Sequence, residues 1–167
     1  MTIPKFIDNL AFAKKQDKLS GNIQMAECER LADLLQHGTL SPADTAKDSI
    51  QYVLQGATNS LSQHHLHLSI NAQLTTPCQR CLAPTTFALN LNYIYRLENI
   101  ADHEVEESDD VDLLAIDQTM DVNALIEDEL LTALPIAPTH EAGCTLKNNQ
   151  SGKAPNPFDA LKALIKP

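Results

Sequence analysis

The sequence predicts an α+β fold: an antiparallel, curved sheet or partly open β-barrel built on one long hairpin, with a few packed helices. Three observations carry this. Leu66, Leu68, Ile70, Ala72 and Leu74 alternate with His67, Ser69, Asn71 and Gln73. Further on, Phe87, Leu89, Leu91, Tyr93, Tyr95 and Leu97 alternate with Ala88, Asn90, Asn92, Ile94 and Arg96. Period-2 alternation places one set of side chains on each face of a pleated strand, and two strands joined by a short link pair antiparallel. The third observation is helical. After Asp121, Val122, Leu125, Ile126, Leu130, Ala133 and Leu134 form one broad apolar stripe, which Pro135 ends.

The remaining elements follow from local pattern. Residues 1–18 have mixed polarity and no element is assigned to them. Residues 19–23 read as a short extended piece with a turn. Residues 25–35 read as a helix with Cys28, Leu31, Leu34 and Leu35 on one face, closed by Gly38 as a left-handed cap. Residues 49–55 alternate as a strand, and residues 56–59 read as a turn. His64, His65 and His67 open the hairpin; on a strand His64 points away from the other two, so they read as a polar face and not a metal site. Residues 98–112 read as an acidic, solvated loop, and residues 111–116 as a return strand. Asp121 suits a helix N-cap, with Glu127, Asp128 and Glu129 facing mostly outward. Residues 1–147 thus make a single domain, 148–155 a polar linker and 156–167 a short C-terminal helix. In that helix Asn156 and Pro157 form the start signal, and Phe158, Leu161, Leu164 and Ile165 the apolar stripe.

An apolar fraction of 43% supports a sizeable core, and with 4% aromatic residues and no Trp that core must be mainly aliphatic. No apolar run approaches the roughly 18 residues of a membrane span, and the N-terminal stretch lacks the apolar centre of a signal peptide. The expected address is therefore the cytoplasm, where cysteines stay reduced. The formal charge is −10, and its distribution is uneven. Thirteen acids and no Lys or Arg lie between Glu98 and Glu129. Such a chain repels nucleic acid at long range, so direct binding of naked RNA is not expected. The cluster of Glu104, Glu106, Glu107, Asp109 and Asp110 instead offers a docking surface for a basic partner.

The hairpin tip carries the chemistry. Cys78 and Cys81 lie three apart between Pro77 and Pro84, with Gln79 and Arg80 projecting. Redox use of such a pair calls for a helix N-terminus to lower a thiol pKa, and here a strand follows. Zinc would need two further ligands, for which His140 and Cys144 are the candidates. The third reading is a tip packed by its thiols and used for recognition without metal. This reading is favoured, so no cofactor is expected, with zinc on Cys78, Cys81, His140 and Cys144 as the alternative. Cys28, on an apolar stripe, reads as a buried structural thiol. No phosphate loop, nucleophile elbow or His-Glu-x-x-His motif is present, and three consecutive carboxylates on a helix diverge instead of converging on one atom, so no enzyme is expected.

Three stretches together resemble the YceD family, the large ribosomal RNA subunit accumulation proteins. Pro77-Cys78-Gln79-Arg80-Cys81-Leu82-Ala83-Pro84 is similar to that family's Cys-x-Arg-Cys-Leu-x-Pro hallmark. The run from Ile126-Glu127-Asp128-Glu129 through Pro135, Pro138 and His140, followed by Cys144, resembles its helix and exit segment. Pro155-Asn156-Pro157-Phe158-Asp159-Ala160-Leu161 is similar to the tail of proteobacterial members. The resemblance implies a non-enzymatic bacterial cytoplasmic protein that supports accumulation of large-subunit ribosomal RNA. Its expected partner is a pre-ribosomal large-subunit particle or a basic assembly protein. The alternatives are a thiol- or zinc-dependent protein using Cys78 and Cys81, and a general protein-interaction module.

Overall fold

The computed structural model describes residues 5–35, 40–99, 111–141 and 144. The predicted cap at Gly38, the acidic cluster from Glu104 to Asp110, the 148–155 linker and the C-terminal helix lie outside them. In chain order the elements are β1 (Phe6–Ile7), α1 (Asn9–Lys15), β2 (Lys18–Ile23), a 3₁₀ turn (Met25–Glu27), α2 (Glu29–Leu35), β3 (Ser49–Thr58), β4 (His64–Pro77), β5 (Pro84–Glu98), β6 (Asp112–Ala115), β7 (Met120–Asp121) and α3 (Val122–Ala133). The architecture is α+β. One five-stranded sheet runs β2-β3-β4-β5-β6, antiparallel except for the parallel β5–β6 pair, and does not close into a barrel. β1 and β7 make a separate two-stranded pair.

The long hairpin is the centre of the sheet, in the register its alternation predicts. Leu66 faces Tyr95, Ile70 faces Leu91 and Leu74 faces Phe87. On the other side of β4, Ile50, Tyr52 and Leu54 of β3 face Ala72, Ile70 and Leu68. These side chains share one face and build the core with Leu31, Leu35, Val122, Ile126 and Leu130 from α2 and α3. The opposite face carries Gln51, His67, Asn71, Gln73, Asn90 and Asn92, and leaves them half-buried or exposed. One covered and one solvated face is the ordinary economy of an antiparallel sheet. His64, His65 and His67 lie on β4; His64 shares a hydrogen bond with Thr58 Oγ1 through Nδ1 at 3.0 Å.

Five local readings are corrected by tertiary contacts. Residues 1–18, given no element, contain α1. Its N-cap Asp8 accepts from Ala11 N at 2.8 Å, and fully buried Asn9 ties it to the segment before β7. Asn9 Nδ2 donates to Ala115 O at 2.9 Å, and its Oδ1 accepts from Asp117 N at 3.0 Å. Gly56 does not open a turn. β3 runs on to Thr58, and a Cβ at position 56 would lie 2.5 Å from Phe12 O, so glycine is there to let α1 approach the sheet. Residues 25–35 are not one helix. The 3₁₀ turn, in which Glu27 accepts from Gln24 N at 2.9 Å, breaks at non-helical Cys28, whose carbonyl then accepts the first bond of α2 from Ala32 N at 2.8 Å. Leu34, placed on the buried stripe by periodicity, is 48% exposed.

Glu127 is the fifth correction. It faces inward from α3 and is 8% exposed. Its Oε2 accepts from Arg30 Nε at 3.0 Å and Nη2 at 2.8 Å, and its Oε1 from Leu31 N at 3.1 Å. The carboxylate therefore caps the first turn of α2 and ties that helix to α3. Asp128 pairs with Arg30 Nη1 at 2.7 Å from the exposed side, and Glu129 accepts from Tyr95 Oη at 2.8 Å. The three carboxylates diverge, as their spacing predicts, but two of them anchor structure instead of forming a solvated face.

Candidate functional site

The hairpin ladder ends where Pro77 pairs with Pro84, since proline brings no N–H to continue it. Beyond that pair the chain closes a tight loop. Cys78 N donates to Ala83 O at 2.9 Å, and Leu82 N donates back to Cys78 O at 2.9 Å. The second bond spans four residues, an α-turn, and it places Leu82 in the left-handed region with φ 59°. A branched side chain rarely adopts that conformation, and the cost is on the order of 1–2 kcal/mol. Leu82 is also 59% exposed, so burial does not offset the strain. Gln79 and Arg80 project into solvent from the same loop.

The segment after α3 folds back onto this tip. Leu134 is extended, as the residue before Pro135 must be, and the helix stops. Pro138 O then accepts from Gln79 N at 2.8 Å. His140 and Cys144 thereby come to Cys78 and Cys81. The four ligand atoms all lie within 4.8 Å of one another. Cys78 Sγ is 3.7 Å from Cys144 Sγ, and Cys81 Sγ is 3.4 Å from His140 Nδ1. All four cysteines are free. His140 Nε2 lies 3.0 Å from Pro84 O, a partner that can only accept, so Nε2 carries the proton and Nδ1 presents its lone pair to the thiols.

Cys78 is fully buried. Burial opposes its ionisation, but backbone N–H groups of Arg80, Cys81 and His140 and the Cys81 side chain outweigh it and pull the thiol down to about 5. The Arg80 N–H donates to Cys78 Sγ at 3.4 Å. Cys144 moves the other way, raised by desolvation and by its sulfur neighbours Cys78 and Cys81. Cys78 thus ionises readily, whereas Cys144 resists ionisation. Among the described residues no other group of His, Cys, Asp and Glu gathers in this way, so the histidines of β4 form no such cluster. Cys28 is buried away from it, with its thiol pushed up to about 11 by burial and by the charges of Glu127 and Glu27.

An open apolar groove of about 500 Å³ runs beside the cluster. Leu34, Leu35, Pro77, Leu82, Phe87 and Ile136 line it, with Gln79 and Pro138 at the tip end. Three of these apolar side chains, Leu34, Leu82 and Ile136, are at least 48% exposed. Periodicity gives no warning of this surface, because it joins a helix end, a hairpin tip and an extended segment that are remote in sequence.

The family model described as "Large ribosomal RNA subunit accumulation protein YceD" matches residues 66–165. The chain belongs to the YceD family. The matched span covers β4 from Leu66 on, the tip, β5, α3, and His140 and Cys144, and so takes in all four members of the Cys–His cluster. The part of the chain before it supplies α1, α2, β2 and β3, which complete the core under the YceD segment. No solved structure gives a significant match. No helix among the described residues is long and apolar enough to cross a membrane.

Proposed function

We propose that this chain is a non-enzymatic factor of the cytoplasm that supports accumulation of large-subunit ribosomal RNA by docking on a pre-ribosomal particle through protein contacts. Its membership of the YceD family, whose description is large ribosomal RNA subunit accumulation, is the observation that carries this reading. Two physical features support the mode of action. Leu82 holds an exposed, strained conformation beside an apolar groove, and strain held at a solvent-facing residue points to use. The charge balance disfavours bare RNA: thirteen acids between Glu98 and Glu129 repel phosphate, and Arg80 is the one cation of the tip loop. Of these acids, Glu104, Glu106, Glu107, Asp109 and Asp110 would steer in the Lys and Arg of a ribosomal protein or assembly factor.

The test is co-sedimentation with precursor large-subunit particles, beside binding to protein-free large-subunit RNA. The expected result is association with particles and weak binding to bare RNA. Neutralising Glu104, Glu106, Glu107, Asp109 and Asp110 together, or Leu82→Asn, should weaken the association. Asn tolerates the left-handed conformation, so the second variant removes the apolar contact without destabilising the loop. Tight binding to bare RNA, or undiminished association of both variants, overturns the proposal. Absence of the wild type from the particles would leave an interaction module outside ribosome assembly.

A further inference from the structure

The geometry of the tip points to a structural zinc site formed by Cys78, Cys81, His140 and Cys144, which pins the segment after α3 to the end of the central hairpin. Tetrahedral zinc binds sulfur at about 2.3 Å and imidazole nitrogen at about 2.0–2.1 Å, so neighbouring ligands are separated by about 3.8 Å for two sulfurs and about 3.6 Å for sulfur and nitrogen. The observed separations are 3.7 Å for Cys78 Sγ to Cys144 Sγ and 3.4 Å for Cys81 Sγ to His140 Nδ1. Two edges of the cluster thus match such a tetrahedron, and all four ligand atoms lie within 4.8 Å of one another. Three thiols facing one another are poor hydrogen-bonding partners, and nothing in their own pairing calls for convergence this close. A disulfide would need a sulfur separation of about 2.05 Å, and a redox pair would leave His140 and Cys144 without a role.

The surroundings match a metal's needs as well. A ligating imidazole usually donates its other N–H to a carbonyl, and His140 Nε2 lies 3.0 Å from Pro84 O. The Arg80 N–H at Cys78 Sγ offsets thiolate charge. Three sulfurs and one nitrogen favour zinc over the hard cations. Four protein ligands leave no open position, so the ion is structural and not catalytic. The sequence favoured a metal-free tip, because the spacing of His140 and Cys144 is unusual. The fold shows why spacing misleads: the Gln79 N–H to Pro138 O bond, not a local turn, delivers those two ligands. The ion would also fix Pro135, Ile136 and Pro138, which form one wall of the groove. Zinc binding does not depend on which partner that groove takes.

The experiment uses the full chain, purified without chelator from zinc-supplemented culture. Metal analysis should find about one zinc per chain. Cobalt added to the metal-stripped protein should give the visible absorption of a tetrahedral thiolate complex, saturating at about one equivalent. Cys144→Ser should lower zinc content at least several-fold while far-ultraviolet circular dichroism stays unchanged, since Cys144 lies outside the sheet and helices. Cys28→Ala should keep the metal. Absence of zinc together with absence of a saturating cobalt spectrum overturns the proposal. So does a Cys144→Ser protein that keeps its full zinc, or a Cys28→Ala protein that is folded and loses it.

Discussion

Glu127 shows how much a single residue can hold. It is buried on α3, and it receives the Arg30 guanidinium and the Leu31 N–H of α2. Glu127→Ala would leave that N–H buried without an acceptor, and the expected loss is about 1–3 kcal/mol. Asp128→Asn, on the exposed side of the same arginine, should be close to silent. Urea denaturation of the two variants separates them. Equal effects would mean that Glu127 belongs to the solvated face its neighbours suggest. The inward turn of Glu127 is illegible in sequence because three consecutive carboxylates carry no mark of which one meets an arginine 97 positions away. Cys78 and Cys81 are the opposite case. Their place at the hairpin tip follows from the alternation on either side and the flanking prolines.

At the scale of elements, the hairpin register governs the fold. Ile70 is fully buried and Asn71 is exposed, although one peptide bond separates them. Ile70→Asp would bury an unpaired charge at a cost on the order of several kcal/mol, whereas Asn71→Asp should change stability little. Thermal melts of both variants test the register, and matching losses would place the strand on the wrong face. This register was readable because period-2 alternation over nine residues admits one assignment of faces. Helix α1 was not readable. A seven-residue helix has little stability of its own, and it forms where Asn9 bonds to Ala115 and Asp117 and where Gly56 opens space for its backbone.

The whole molecule should weaken in alkali. The Cys28 thiol ionises near 9.0 in an unfolded chain and at about 11 when folded, first because of burial and then because of Glu127 and Glu27. A raised folded pKa stabilises fully below about 9 and loses its effect as pH climbs toward 11. Tyr52, Tyr93 and Tyr95 are raised too, all by burial first and the last two also by Glu129, so they add a second loss above their ordinary 10.0. Urea midpoints should therefore fall beyond about pH 9. Cys28→Ala should make that fall shallower. A flat profile to about pH 11, or a fall no shallower in Cys28→Ala, would show that the core does not hold these protons as its packing implies.

The sequence by itself determined the α+β class, the central hairpin and its faces, the N-cap at Asp121, the stop at Pro135 and the family resemblance through the tip motif. All of these are encoded by neighbours, by a short period or by a run of residues that need no knowledge of distant partners. Only the tertiary structure decided that Glu127 turns inward, that Gly56 serves a helix contact, that α1 exists, and that His140 and Cys144 meet Cys78 and Cys81. Each of these depends on residues tens of positions apart. Their proximity is set by how the segment after α3 and the first helix fold back on the sheet, which no local pattern records.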